Sequence, residues 1–181
     1  MSKKYKKKNL YFAYGSNLHP IRLEDRLGKV DFHGIGKLSY TEIHFHKTGS
    51  DGSGKATIES SSERSKYVLG AMYELSKSQE KLLDKFESLG FGYNKLIVEV
   101  ELEKGEEITC FTYQGMREYV DYTCQPFHWY KQLVAQGSRF LGFPSEYTNF
   151  IENIDSIADL NKKRVNTNER LIKLMQKKKV L

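Results

Sequence analysis

The apolar positions of the chain change their period several times, and each change predicts an element. Residues Leu10 to Tyr14 form a short aromatic run broken by Gly15, which predicts a buried strand. Pro20 suits a first helical position, Ile21, Leu23 and Leu27 supply an apolar stripe behind it, and Gly28 is placed to end the helix. Val30 to Lys47 reads as extended, with Ile43 and Phe45 alternating against His44 and His46 before the Gly/Ser loop GSDGSG. Ala56 to Glu59 and Tyr67 to Leu75 predict two more strands, separated by the polar run SSSERSK.

Farther along, Ser76 and Gln79 have the spacing of a capping box, and Leu82, Leu83, Phe86 and Leu89 recur on one helical face. KLIVEVELE, from Lys95, sets Leu96, Val98, Val100 and Leu102 against Lys95, Glu99, Glu101 and Glu103. Lys104-Gly105 predicts a two-residue hairpin turn into EITCFTYQ. Pro126 to Gln136 predicts a helix closed by Gly137, followed by the loop GSRFLGFP and helical character from Ser145 onward. Strands outnumber helices, and the helices are interspersed singly without a regular strand-helix-strand alternation. The expected fold class is therefore α+β: a mostly antiparallel curled sheet or small β-barrel with flanking helices. No internal repeat or linker divides the chain.

Charge narrows the function classes. The net charge is +6, but residues 1–8 carry five Lys, and residues 161–181 carry eight Lys or Arg against Glu169 alone. Without those thirteen bases and one acid, 16 bases face 22 acids, so the body of the protein stands at −6. Basic ends of this kind are ordinarily solvated, and no base-reading aromatic motif accompanies them, which argues against a nucleic-acid partner. No window approaches the roughly 18 apolar residues of a membrane helix, and LYFAY is shorter than a signal-peptide core. A cytoplasmic location is expected, and Cys110 and Cys124 read as two reduced structural thiols.

Four stretches carry candidate chemistry. Gly49 to Lys55, GSDGSGK, has phosphate-loop spacing, but Ala56 stands where a hydroxyl must ligate magnesium and strand-like ATIE follows where a helix is needed; it reads as a strand-to-strand loop. His44 and His46 share a strand face but have no third metal ligand, so no metal is expected. In Tyr14-Gly15-Ser16-Asn17, a glycine at a strand end permits a positive φ and a close ligand approach, and the N–H groups after it can form an anion-binding concavity. Ser16 and Asn17 are equally ordinary helix-capping residues, and from the residues alone both readings stand. Glu87, in LLDKFESLGFGYN, falls about 40° from Leu83 at the edge of the apolar stripe, where half-desolvation would raise its pKa toward that of a general base. Solvated border glutamates are the ordinary alternative.

Taken together, these features resemble the γ-glutamylcyclotransferase-like superfamily from about Asn9 to about Asn153. YFAYGSNL resembles its N-terminal Tyr-Gly-Ser signature, GKATIESS and LGAMYEL its central strand pair, LLDKFES its glutamate-bearing helix, EITCFTY its late strand and GFPSEYTNF the segment after it. The resemblance implies a division into a basic tail at 1–8, the family domain at 9–153 and a basic helical extension at 154–181. It implies Glu87 as general base, substrate held by Tyr11, Phe12, Ala13, Tyr14, Gly15, Ser16 and Asn17, with Tyr93 and Tyr147 near the pocket, and no metal or cofactor. Ser88 stands where close relatives often have Gly, and the Glu87–Tyr93 loop is shorter than in the animal enzymes.

The implied reaction is release of 5-oxoproline from a small γ-glutamyl compound, a step of glutathione-type metabolism. An enzyme of this fold acting on γ-glutamylamines or a γ-glutamylated biosynthetic intermediate, and a non-catalytic binding module, are the alternatives. A homodimer is left open.

Overall fold

The computed structural model describes residues 9–103 and 105–178. In chain order the elements are β1 (Asn9–Ala13), α1 (Pro20–Leu27), β2 (Asp31–Ser39), β3 (Thr41–Thr48), β4 (Gly54–Ser60), β5 (Tyr67–Leu75), α2 (Lys77–Phe86), β6 (Tyr93–Leu102), β7 (Glu107–Gly115), α3 (His128–Phe140), α4 (Ser145–Glu152) and α5 (Lys162–Lys177). A short 3-10 turn, Arg117–Tyr119, lies between β7 and α3.

Five strands close a barrel in the order β1, β5, β2, β6, β7. Every pairing is antiparallel except the one that closes it, where Tyr11 of β1 sits opposite Phe111 of β7 in parallel. The aromatic run is the innermost strand: Phe12 and Ala13 are fully buried beside Met72, Tyr73 and Leu75. Burying a large side chain of this kind contributes about 1.5–3 kcal/mol, so β1 anchors the residues that follow it.

The run from Val30 to Lys47 is two strands, because Tyr40 turns the chain at φ +54. The second, β3, leaves the barrel and pairs with β4 as a ribbon of its own. That ribbon is strapped over the end of β7, where Gln114 Nε2 donates to the Ile58 carbonyl and the Gly115 N–H to Thr57 Oγ1, both at 2.9 Å. At the β6–β7 hairpin, Gly105 has φ +77 and its N–H donates to the Leu102 carbonyl at 2.8 Å, whereas Lys104 lies outside the described residues.

The helices correct several expectations. The capping box at Ser76 and Gln79 is present, but of the stripe only Leu83 is buried; Leu82, Phe86 and Leu89 are exposed. Helix α2 ends at Phe86, so Leu89 lies beyond it, and Leu83 alone of the stripe joins the core. Helix α3 begins at His128 and runs through Gly137, taking Ser138, Arg139 and Phe140 with it. Gly137 is a packing residue: a Cβ there would lie 2.4 Å from Leu18 Cβ, so its absence lets the segment after the Tyr14–Asn17 turn dock on the helix. That segment ends in His19, whose Nδ1 accepts from the Ile21 N–H at 3.1 Å and caps α1. Helix α5 brings Leu171, Ile172 and Met175 into the same core.

Candidate active site

Three residues far apart in sequence meet at one point. Asn17 Nδ2 donates to Glu87 Oε1 at 3.1 Å, and Arg26 Nη1 donates to the same oxygen at 3.0 Å and to Asn17 Oδ1 at 3.1 Å. The Arg26 and Glu87 side chains are each 16% exposed, so the pair is largely shielded from water. Each element delivers its residue for a local reason. Asn17 is central in a turn closed by the Leu18 N–H donating to the Gly15 carbonyl at 3.0 Å, and Arg26 projects from the last turn of α1. Glu87 caps the end of α2, its N–H on the Leu83 carbonyl at 2.9 Å, just before Ser88 reverses the chain at φ +50. Glu87 is thus at a helix terminus rather than on a helical face. A carboxylate at a helix C-terminus meets the negative end of the helix dipole, which the Arg26 guanidinium offsets.

Gly15 does not adopt a positive φ. Its missing Cβ serves the close passage of β4, since a Cβ there would lie 3.0 Å from Ala56 Cβ. The turn leaves the N–H groups of its central residues, Ser16 and Asn17, out of its own hydrogen bond.

Around the turn stand five tyrosines. Tyr11 Oη accepts from Asn17 at 3.2 Å, Tyr14 Oη donates to the Tyr113 carbonyl at 2.5 Å, and Tyr113 Oη donates to Asp84 at 2.6 Å. Tyr93 Oη donates to the Ala56 carbonyl at 2.8 Å and Tyr130 Oη accepts from the Ala56 N–H at 3.0 Å. Burial first, and the negative charge of Glu87 with the neighbouring phenols after it, holds Tyr11, Tyr14 and Tyr93 far above the usual tyrosine range. These hydroxyls therefore stay protonated. Together with Gly15, Ser16 and Glu87 they line a narrow crevice.

Of the residues expected in a site, Tyr11, Tyr14, Gly15, Ser16, Asn17, Glu87 and Tyr93 all reach this crevice. Phe12 and Ala13 do not line it; they are barrel core, and Phe12 contributes a carbonyl that accepts from Thr112 at 2.8 Å. Tyr147 lies elsewhere, on α4, its hydroxyl accepting from the Leu69 N–H at 3.2 Å and its ring stacked on Tyr67. Arg26, Asp84 and Tyr130 were missed. Arg22 and Arg26, four apart on α1, share a helical face, and that spacing was the available signal.

The crevice opens into a vestibule of about 480 Å³. Arg22, Arg26, Lys47 and Lys55 line it with Phe86, Phe91, Tyr119 and Trp129, and Ser16, Glu87, Tyr93 and Tyr130 border both spaces. Gly49 and Ser50 form part of the wall, so the loop with phosphate-loop spacing is indeed a strand-to-strand connection; Lys55 closes it with an ion pair to Asp51 at 2.9 Å. The histidines His44 and His46 stack at 4.7 Å, and His46 Nε2 pairs with Glu59 at 2.9 Å. Among the described residues no three His, Cys, Asp or Glu side chains group as a metal site, and no helix is long and apolar enough to cross a membrane. Cys110 is buried, which pushes its thiol up to about 12.

Over 153 residues, 81% of this chain and 78% of the relative, the sequence is 33% identical to the γ-glutamylcyclotransferase of Bos taurus. The chain belongs to the γ-glutamylcyclotransferase family. The human γ-glutamylcyclotransferase matches at 32% over 152 residues, 81% of this chain and 78% of that one. A solved structure of a γ-glutamyl cyclotransferase superposes with TM-score 0.79 at 26% identity, covering 91% of this chain and 99% of its own. Residues 67–151, which include Glu87, match the model of the AIG2-like family. The protein is accordingly a cyclotransferase-like enzyme on an α+β barrel.

Proposed function

We propose that this γ-glutamylcyclotransferase-family enzyme releases 5-oxoproline from a γ-glutamyl compound, with Glu87 as the general base. The observation that carries this reading is the convergence of Asn17, Arg26 and Glu87 beside the Ser16–Asn17 turn. The α-amine of the glutamyl group attacks its own γ-carbonyl, forming the lactam C–N bond as the bond to the leaving nitrogen breaks. The α-amine, largely protonated at neutral pH, first gives one proton to solvent; Glu87 takes a second as the neutral amine attacks and delivers it to the leaving nitrogen, so a neutral amine departs. The substrate is an open chain that must be bent, and the enclosed crevice supplies that orientation. The Ser16 and Asn17 N–H groups, with the hydroxyls of Tyr11 and Tyr130, which accept rather than donate within the crevice, are the donors for the developing oxyanion.

Release of 5-oxoproline from γ-glutamyl dipeptides, γ-glutamylamines and glutathione tests the reading, with Glu87→Gln beside the parent. Turnover of at least one substrate that falls in the variant supports it. Inertness of the whole panel, or a variant as active as the parent, overturns it.

A further inference from the structure

Helix α2 delivers Glu87, yet little apolar surface holds it. Leu83 alone of its residues is buried, whereas a surface helix ordinarily docks through a whole apolar stripe. Its first turn is tied to the chain leaving α1, where Gln79 Nε2 donates to the Lys29 carbonyl at 2.7 Å. Its last turn is tied to the barrel through Asp84. Tyr113 Oη of β7 donates to Asp84 Oδ1 at 2.6 Å, and Lys95 Nζ of β6 lies 2.7 Å from the same oxygen. Lys95 also donates to Glu80 Oε1 at 2.6 Å, and Glu80 Oε2 accepts from Asn9 of β1. Lys95 and Tyr113 are direct cross-strand partners, so their side chains leave one face of the barrel and close on one carboxylate. The Glu80, Asp84 and Lys95 side chains are 19%, 23% and 21% exposed, so these bonds form largely out of water, where they are stronger.

Local preference runs the other way. Asp84 sits in the last turn of α2, where an acid meets the negative end of the helix dipole, and Asp is a poorer helix former than Ala. Glu87, three residues on, adds a second acid to the same end. Each is matched from another element, Glu87 by Arg26 of α1 and Asp84 by Lys95 of β6. Acids that the helix alone disfavours, and that only its neighbours stabilise, mark a tertiary constraint on that turn.

We propose that Asp84, gripped by Tyr113 and Lys95, is a positioning residue that fixes the last turn of α2 and thereby holds Glu87 at the crevice. The inference rests on the reading of Glu87 as general base. A helix held at one apolar point can turn about it, whereas a second anchor on different strands fixes its rotation. Misplacing a reacting group by about 1 Å costs on the order of 100-fold in rate, so the anchor acts on chemistry without touching substrate.

The test measures two quantities in the parent, Asp84→Ala and Lys95→Met. One is kcat and KM for 5-oxoproline release from γ-glutamyl dipeptides, γ-glutamylamines and glutathione. The other is amide hydrogen exchange, read by NMR, at Glu87, Ser88 and Leu89, whose N–H groups donate to the Leu83, Lys85 and Asp84 carbonyls. Asp84→Ala is expected to lower kcat about 10- to 100-fold with KM changed less than about 3-fold, and to speed exchange at those three amides about 10-fold. The paired core residues Phe12 and Met72 keep their protection. Lys95→Met, altered on β6, moves both quantities in the same direction by a smaller factor. A role inside the helix alone predicts the opposite sign, because Ala strengthens a helix end that Asp weakens. Unchanged or slower exchange at Glu87 therefore overturns the proposal, as does a loss confined to KM. If Asp84→Ala loosens the core amides too, Lys95→Met is judged by the same criteria. If the parent is inert on every substrate, the reading of the reaction falls and exchange alone decides the anchor: faster exchange at Glu87 supports it, and unchanged exchange overturns it.

Discussion

The crevice and the vestibule are adjacent, share Glu87 and Tyr93 as a border, and are built on opposite electrostatic terms. In the crevice nearly every polar side chain is already held: Asn17 bridges Tyr11, Arg26 and Glu87, and Tyr14, Tyr93 and Tyr113 each donate to a named acceptor. In the vestibule, Lys47 is buried with no ion pair among the described residues, and the Nε of Arg22 is buried there with no hydrogen-bond partner. A satisfied network is rigid and orients whatever enters it, whereas an unsatisfied buried charge gains most when a ligand completes it. The contrast separates a region whose polar groups are already paired from one whose lining keeps a buried cation for a ligand to meet.

The sharpest way to break that contrast is at Glu87. Replacing it with Gln keeps the shape and the Asn17 contact, and 5-oxoproline release is expected to fall about 100- to 10,000-fold with an unchanged circular dichroism spectrum. Arg26 comes next, as a positioning residue. Arg26→Gln frees the carboxylate from its guanidinium and is expected to cost about 10-fold, in kcat more than in KM, with part recovered in Arg26→Lys. A loss confined to KM would move Arg26 from the chemistry to the vestibule.

Smaller effects probe the support behind the crevice. Gly137→Ala forces Leu18 away from α3 and is expected to cost about 1–3 kcal/mol, read from the urea midpoint. Acid should act on the same segment. Burial, aided by Lys178, brings His19 from its usual value down to about 4. The folded state holds the neutral ring, with Nδ1 as acceptor, while the unfolded chain takes a proton below about pH 6.5. Stability from this group is thus complete above that pH and is lost as pH falls toward 4, by on the order of 1–3 kcal/mol. Urea melts at pH 7 and pH 5 measure it, and a flat profile would show that His19 does not govern this support.

Much of this was legible beforehand, and where it was not the reason is physical. Strand and helix periods, the Ser76 capping box and the Gly28 stop are local, and they form as read. Gly137 reads as a stop because glycine ends helices, yet it is a contact with Leu18, 119 positions earlier, and no local pattern encodes that. Leu82, Phe86 and Leu89 form a stripe by period, but which part of a stripe meets the barrel depends on where the helix is docked. Tyr147 was implied only by the family resemblance, and α4 sets it against Leu69 and Tyr67 instead.

The sequence by itself determined the α+β class and the aromatic strand that ends at Gly15, because each rests on residues next to one another in the chain; it left the Tyr14–Asn17 turn and Glu87 open, and only the family resemblance joined them as a candidate site. Only the tertiary structure decided that Arg26 joins Asn17 and Glu87, that Gly15 yields to β4, and that Lys47 and Arg22 face one vestibule. Charge pairing is a matter of distances of a few ångströms between distant segments. Barrel closure through Tyr11 and Phe111 sets those distances, and no spacing along the chain expresses them.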